Sequence, residues 1–170
     1  MPTTTVTRTY LRMTSPTALR PRRDAPPHAR VERVARCDVT LYRELYRAVG
    51  EHWHWHDRDA WSDERLAEHL AQHSVSVHVL TVHGETAGYF ELQRHDDGDV
   101  EIVYFGLAPS FIGRGLGAYL LTAAVDEAWR LGATSVWLHT CTLDHPAALA
   151  NYRARGFEPY HTEEYLTTIP

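Results

Sequence analysis

The chain passes from an apolar strand through a glycine-rich turn into a helix in the segment Tyr104-Phe105-Gly106-Leu107-Ala108-Pro109-Ser110-Phe111-Ile112-Gly113-Arg114-Gly115-Leu116-Gly117. Glycines at alternate positions permit a left-handed backbone and remove the Cβ atoms that would keep a ligand away from the amides. The residues that follow at helical spacing form one apolar face: Leu116, Leu120, Ala123, Ala124, Ala128 and Leu131. The turn therefore leads into a helix N-terminus, where unpaired N–H groups and the helix dipole favour a phosphate or pyrophosphate.

Two common phosphate-binding motifs are excluded by the residues present. A P-loop requires a lysine after its last glycine, and the chain contains no lysine. A Rossmann fingerprint requires G-x-G-x-x-G at the start of a βαβ unit. Here the pattern is G-x-G-x-G, and it follows a strand far along the chain.

Two linked motifs resemble those of the GNAT acetyltransferase superfamily. The coenzyme A-binding motif of that family, [QR]-x-x-G-x-[GA], is similar to Phe105-Gly106-Leu107-x-Pro109-x-x-x-Gly113-Arg114-Gly115-Leu116-Gly117. Its L-Y-x-x-x-G-F signature is similar to Asn151-Tyr152-Arg153-Ala154-Arg155-Gly156-Phe157. The resemblance extends over Val75 to Tyr165. Ile112 departs from the family's Gln or Arg, and His145 stands where the family often has Asn.

The resemblance implies an α/β structure, the GNAT acyl-CoA N-acyltransferase fold. This fold has a mixed, mostly antiparallel sheet of six or seven strands with about four helices. It also implies acetyl-CoA as co-substrate, with no metal. The residues it assigns to coenzyme A are Phe105, Leu107, Ile112, Gly113, Arg114, Gly115, Leu116, Gly117, Asn151 and Tyr152.

The same resemblance suggests three catalytic groups. The backbone amide of Leu107 would bind the thioester carbonyl, and Tyr152 would protonate the leaving thiolate. Glu101 is similar to the glutamate that acts as base in the histone-acetyltransferase branch, and apolar neighbours would raise its pKa. Glu91 and His139 are alternative bases. Alternatively, Glu101 lies at the rim of the site and has no catalytic role. The alternative for Tyr152 is a structural role, in which its ring packs on the cofactor.

The segment from Glu51 to Trp61 is rich in tryptophan and histidine. In GNAT folds this link between the first two helices lines the acceptor cleft, and flat apolar walls with charges suit an amine. The acceptor-binding candidates are Trp53, Trp55, Asp57, Arg58, Tyr89 and His139. The tryptophans could equally be core anchors. If the segment is extended, His52, His54 and His56 share one face and form a metal site, which is the alternative.

The local pattern also predicts individual elements. A strand is expected over Thr3–Arg12, and Asp38 and Ser62 are expected to cap helices ending near Val49 and His73. Asp97-Gly98 predicts a hairpin. A short helix is expected from His145 to Arg155, followed by a strand from Glu158 to Leu166.

Composition sets the remaining bounds. At 170 residues and 44% hydrophobic content, one globular domain is expected, with residues 1–36 as a strand and a proline- and arginine-rich arm and residues 37–170 as a single GNAT domain. The net charge is −5, and the acidic body favours a cationic partner. Cys37 and Cys141 form neither a disulfide framework nor a metal quartet. A cytoplasmic protein is expected, without nucleic-acid or membrane partners, and the family is compatible with a homodimer.

The prediction is an N-acetyltransferase that transfers acetyl from acetyl-CoA to a primary amine, a small-molecule or amino-acid-like acceptor. The transfer would be a direct attack, with Glu101 as base and Tyr152 as acid. A non-catalytic acyl-CoA-binding module and a metal-binding protein built on His52, His54 and His56 remain the alternatives.

Overall fold

The computed structural model describes residues 1–169, in which seven strands form one sheet. In chain order the strands are β1 Thr3–Met13, β2 Ala29–Arg33, β3 Val75–Val82, β4 Glu85–Arg94, β5 Val100–Leu107, β6 Val136–Cys141 and β7 Glu158–Thr168. The α-helices are α1 Val39–Gly50, α2 Asp63–Leu70, α3 Leu116–Arg130 and α4 Ala148–Ala154. The sheet order is β2-β3-β4-β5-β6-β1-β7, and only the β5–β6 pair is parallel. The predicted mixed, mostly antiparallel sheet with four helices is confirmed.

Strands β5 and β6 separate soon after they begin. They pair only at Val100↔Val136 and Glu101↔Trp137, whereas β5 continues to pair with β4 as far as Leu107. Parallel strands point their carboxyl ends toward the same edge of a sheet. A gap therefore opens within the sheet between the later halves of β5 and β6.

The two faces of the sheet are covered by different helices. On one face, α3 packs Leu120, Leu121 and Val125 against sheet residues such as Leu92 and Leu138 in the larger core. On the other face, α1 and α2 pack a smaller core whose buried members are Tyr42, Leu45, Tyr46, Val49, Leu66, Val77 and Tyr89. Within residues 1–169, none of the helices has the length and apolar character needed to span a bilayer.

Local hydrogen bonds determine where the helices begin. The Asp38 carboxylate accepts from the Leu41 amide at 2.7 Å, and the Ser62 hydroxyl accepts from the Arg65 amide at 3.1 Å, so both predicted caps are present. Helix α2 ends at Leu70, earlier than predicted.

Helix α4 begins later than predicted, at Ala148. Asp144 is turned back toward β6, where its carboxylate accepts from the Cys141 amide at 3.0 Å. His145 Nδ1 accepts from the Ala147 amide at 2.9 Å. These bonds keep the loop after β6 out of the helix, and the loop remains at the edge of the gap.

Strand β1 lies inside the sheet, antiparallel to both β6 and β7. Tyr10, for example, is opposite His139 on β6 and His161 on β7. The chain then crosses the helical face, where the Arg22 amide donates to Thr122 Oγ1 on α3 at 2.9 Å, before it forms the edge strand β2. Residues from the start of the chain thereby stand next to the gap.

A buried ion pair joins β4 to the helical layer of α1 and α2. The Glu91 carboxylate is completely buried and accepts from Arg58 Nη1 at 2.9 Å and Nη2 at 3.1 Å. It also receives the Tyr42 hydroxyl at 2.6 Å and contacts His69 Nε2 at 2.8 Å. Burial alone would raise the pKa of Glu91, but the bonds from His69 and Arg58 outweigh it and hold the pKa below its usual range.

We expect Glu91→Ala to lower the free energy of unfolding by about 3–5 kcal/mol, because it leaves the Arg58 guanidinium buried without its counter-charge. Urea unfolding at neutral pH measures this. The matched control is Glu127→Ala, which removes a surface pair with Arg130 on α3 and should cost no more than about 1 kcal/mol. Equal losses in the two variants would contradict a stabilising role for the buried pair.

The same pair makes stability depend on pH. Because the folded-state pKa of Glu91 is lowered, the ionised carboxylate stabilises the folded state above the ordinary carboxylate pKa. This stabilisation is lost as the pH falls toward the folded-state pKa. The difference in stability between wild type and Glu91→Ala should therefore shrink in acid.

Candidate functional site

A cavity of about 430 Å³ occupies the gap between β5 and β6. Its walls come from β5, β6, β1, β7, α4, the turn before α3 and the link between α1 and α2. The site residues predicted from the sequence that line it are Trp53, Trp55, Asp57, Phe105, Leu107, Ile112, Gly113, Gly117, His139, Asn151 and Tyr152. One cavity thus brings together residues that are far apart in the chain.

The turn before α3 presents backbone amides to this cavity. Gly113 and Gly115 have φ values of 83° and 77°, in the left-handed region, and a Cβ on either would meet no protein atom within 4 Å. Gly115 is the N-cap and receives no side-chain cap. Within the described residues, the amides of residues 113–118 donate to no backbone carbonyl outside the helix. The turn has the properties of an anion cradle.

Three predicted cofactor residues do not line the cavity. Gly115 shapes the backbone, Leu116 is buried in the larger core, and Arg114 lies with its guanidinium 5.0 Å from the centre of the Phe111 ring. Asn151 stands close to the helix start, since a Cβ on Gly117 would be 3.5 Å from its Nδ2.

The edge of β5 that faces the gap carries a free amide. The Ala108 amide donates to the Ala87 carbonyl on the β4 side at 2.8 Å. Successive amides of a strand point to opposite edges, so the Leu107 amide points away from β4 and toward the gap. This is the direction that an oxyanion-binding donor requires.

Tyr152 is held rigidly in the cavity wall. It is 7% exposed, and its ring contacts Phe105 and Phe157 edge-on, with centroids 6.0 and 6.3 Å apart. Burial, together with the charge of Asp144, raises the pKa of Tyr152 well above its ordinary value. The phenol therefore stays protonated at neutral pH and is able to donate its proton.

The three candidate bases lie in different surroundings. Glu101 is at the paired start of β5, where it contacts His95 Nε2 at 3.0 Å, and it does not line the cavity. Burial raises the pKa of Glu101. Glu91 is enclosed in its ion pair and cannot reach a ligand. His139 lines the cavity, and desolvation followed by the charge of Arg8 lowers the pKa of its imidazole, which is neutral and able to accept a proton at neutral pH.

The link between α1 and α2 serves both as cavity wall and as core. Trp53, His54 and Asp57 line the cavity, and the Trp53 ring meets that of His145, another lining residue, edge-on with centroids 5.0 Å apart. Trp55 also borders the cavity, but it is an anchor that packs directly on Gly50, where a Cβ would collide with its ring.

The structure corrects the predicted acceptor site by removing Arg58 and Tyr89 from it. Arg58 is 5% exposed and engaged with Glu91, and its guanidinium lies 4.9 Å from the centre of the Tyr104 ring. Tyr89 is completely buried in the smaller core. Neither side chain borders the cavity, because both point into the layer between the sheet and α1.

The histidine-rich segment is not extended, which removes the premise of the alternative metal site on His52, His54 and His56. Residues Glu51–Trp53 form a turn of 3₁₀ helix and His54 has a left-handed φ of 61°, which destroys the common face. His56 instead contacts Asp59 at 3.1 Å through Nδ1. Among residues 1–169 there is no cluster of three or more His, Cys, Asp or Glu side chains arranged to hold a metal ion.

Sequence reasoning missed several residues of the cavity. These are Arg8, Cys141, Asp144, His145, Tyr165 and Thr167. Asp144 and His145 could have been found, because they directly follow β6 at its gap end. Arg8, Tyr165 and Thr167 carry no local signal, since only the insertion of β1 between β6 and β7 brings them to the site.

Sequence comparisons identify the family of this chain. The model of the acetyltransferase (GNAT) family matches residues 40–157. The chain is 30% identical over 115 residues to a mycothiol acetyltransferase of Corynebacterium efficiens, covering 65% of this chain and 38% of that protein. It is 35% identical over 77 residues to an uncharacterized N-acetyltransferase of Mycobacterium bovis, covering 45% of this chain and 49% of that protein. The chain thus spans less than half the length of these relatives.

Solved structures share the fold. A GCN5-related N-acetyltransferase from Sphaerobacter thermophilus superposes with a TM-score of 0.71 at 19% identity, covering 95% of this chain and 50% of that one. An aminoglycoside acetyltransferase from an uncultured soil metagenomic sample, solved with trehalose, superposes with a TM-score of 0.63 at 20% identity, covering 75% of this chain and 87% of that one. The match of the family model over most of the chain, with this fold, means that the protein belongs to the GNAT family of acetyltransferases.

Proposed function

We propose that this chain is an acetyl-CoA-dependent N-acetyltransferase that acts on a small primary amine. The observation that carries the proposal is the single cavity in the gap between β5 and β6. It is bordered by the glycine turn before α3, the outward-pointing amide of Leu107 and the buried phenol of Tyr152. A binding module would need the first of these groups but neither of the others.

The glycine turn fits the pyrophosphate of coenzyme A. The free amides of residues 113–118 would donate to its oxygens, and the space outside Gly113 and Gly115 leaves the approach open. Asn151 would contact the pantetheine arm beside Gly117. Ile112 contributes no side-chain donor, so the backbone carries the recognition.

The chain's own groups can carry each step of the transfer. As the amine nitrogen bonds to the thioester carbon, the Leu107 amide donates to the developing oxyanion, which is worth about 3 kcal/mol in a water-poor site. The carbon–sulfur bond then breaks and Tyr152 gives its proton to the departing thiolate. His139, neutral and exposed to the cavity, takes the proton that the attacking nitrogen loses.

The walls on the acceptor side favour a cationic amine. Asp57 supplies a carboxylate, and Trp53 and Tyr104 supply aromatic faces within the same cavity. An ammonium group is attracted both by a carboxylate and by aromatic faces.

Gly117→Ala tests the binding of coenzyme A. Alanine is a better helix former than glycine, and the new Cβ would make only ordinary contacts with protein, so stability should be unchanged or slightly higher. The methyl group intrudes on the cavity wall, and calorimetry should show a loss of about 1–3 kcal/mol in acetyl-CoA affinity. As a control, Gly132→Ala places alanine at a φ of 87° beyond α3 and should lower stability without changing affinity. Unchanged affinity in Gly117→Ala would mean that the phosphates bind elsewhere.

Tyr152→Phe tests catalysis against mere binding. Thiol release from acetyl-CoA would be measured with a panel of small cationic and aromatic primary amines. We expect kcat to fall by about 10²-fold or more while the Kd for acetyl-CoA stays constant. Tyr119→Phe, on α3 and outside the cavity lining, is the matched control. Full activity would remove Tyr152 from the mechanism, and absence of acetyl-CoA binding to wild type would refute the proposed function.

The pH dependence of kcat separates the two candidate bases. Because the pKa of His139 is lowered, activity should rise with pH through a value below the ordinary histidine pKa of about 6.5 and then level off. His139→Gln should abolish this rise of kcat with pH and lower the plateau value of kcat. Glu101→Gln should leave the rise of kcat with pH in place. The opposite pattern would assign the base to Glu101, as the sequence resemblance suggests.

A further inference from the structure

Arg8 lines the cavity, and its guanidinium is not fully hydrogen-bonded within the described residues. Its Nε is buried and has no partner within residues 1–169. The carboxylate nearest to its guanidinium is that of Glu163, 3.9 Å from Nη1, too far for a hydrogen bond. That carboxylate is shared with His161 Nε2 at 3.4 Å and the Tyr10 hydroxyl at 3.5 Å. A guanidinium has five donors and no acceptor, so Arg8 retains capacity for an anion.

The orientation of Arg8 is maintained by its neighbours. Its guanidinium carbon lies 4.9 Å from the centre of the Tyr165 ring, and Tyr165 also lines the cavity. Stacking on an aromatic ring holds the plane of the guanidinium, and a planar fork matches the two oxygens of a carboxylate.

The face of the sheet on which Arg8 lies indicates whether its anion would belong to the cofactor or to the acceptor. Arg8 and Tyr10 are directly opposite Cys141 and His139 on β6, so the four side chains share one face. The alternate residues of these strands, such as Leu11, pack in the core beneath α3. The anion cradle at the start of α3 therefore serves the other face, and the anion at Arg8 belongs to the acceptor.

We infer that the acceptor amine also carries a carboxylate, which Arg8 binds, so that the acceptor is a free amino acid or a close analogue. This rests on the proposed function and narrows its substrate. Asp57 and Arg8 line the same cavity and would complement the ammonium and the carboxylate of a zwitterion. A phosphate dianion fits less well, because Asp57, Asp144 and Glu163 all lie near this pocket and would repel its second charge.

The test compares amino acids with the amines that lack only the carboxylate. Thiol release from acetyl-CoA would be measured for L-phenylalanine and phenethylamine, L-tryptophan and tryptamine, L-histidine and histamine, and L-lysine and cadaverine. In the best pair, the amino acid should have a kcat/KM at least tenfold above that of its amine.

Substitutions then assign the difference to Arg8. Assayed on the plateau of the pH profile, where His139 is neutral with or without Arg8, Arg8→Gln should lower kcat/KM for the amino acid about 10- to 100-fold and leave the amine nearly unchanged, since a charged bidentate contact is lost. Arg8→Lys keeps the positive charge but lacks the planar guanidinium, so its kcat/KM for the amino acid should lie between those of wild type and Arg8→Gln. Arg12→Gln is the matched control, because Arg12 is on the same strand but stacks on Tyr160 outside the cavity, and it should change neither substrate.

Three results would overturn the inference while leaving the proposed function intact. The first is a kcat/KM for the amines equal to that for the amino acids. The second is an equal loss of kcat/KM for both substrates in Arg8→Gln. The third is binding of acetyl-CoA without turnover of any amino acid. Failure of wild type to bind acetyl-CoA would instead reject the proposed function, and this inference with it. Thermal unfolding and acetyl-CoA affinity of Arg8→Gln, expected to match wild type within error, exclude misfolding as the cause of a loss.

Discussion

Strands β5 and β6 share only two residue pairs, and the site depends on their separation. A parallel pair that continued would satisfy the backbone amides of β5 and close the sheet. Because the strands part, the amide of Leu107 is left facing a gap, and side chains from both faces of the sheet border one cavity. The start of α3 reaches the gap from one face and the link between α1 and α2 from the other. A cofactor and an acceptor could therefore meet there without sharing a binding surface.

The proposed acceptor side of the cavity is supported by the buried pair of Glu91 and Arg58. Arg58 directly follows Asp57, and its amide donates to the Tyr46 hydroxyl at 3.2 Å, so the chain is tied to α1 and β4 immediately beside a cavity residue. Trp55 provides a second anchor, between Gly50 and the aromatic rings of Tyr46 and Tyr104. The link thus has a fixed course although it contains little regular structure. Its charged and aromatic residues divide into those that hold it and those that face the cavity.

The electrostatic surroundings keep two ionisable groups of one cavity uncharged at neutral pH. Desolvation raises the pKa of the Tyr152 phenol and lowers the pKa of the His139 imidazole, because in each case it disfavours the charged form. At neutral pH the phenol therefore has a proton to give, and the imidazole has a nitrogen free to accept one. Arg8 adds to the effect on His139, which links the proposed binding of a carboxylate to the basicity of the imidazole.

The sequence alone was sufficient for whatever depends on neighbouring residues. The glycine spacing before α3 and the motif from Asn151 to Phe157 are local patterns, and they led to the correct family and class of sheet. The caps at Asp38 and Ser62 were likewise predicted from local patterns. The sequence could not separate Asp57, which faces the cavity, from Arg58, which is buried, because adjacent residues of an irregular link have no fixed period. Nor could it indicate Arg8, whose place at the site arises when β1 enters the sheet between β6 and β7, strands more than a hundred residues away in the chain. Long-range pairing of this kind is decided by the packing of the whole sheet, and only the tertiary structure reveals it.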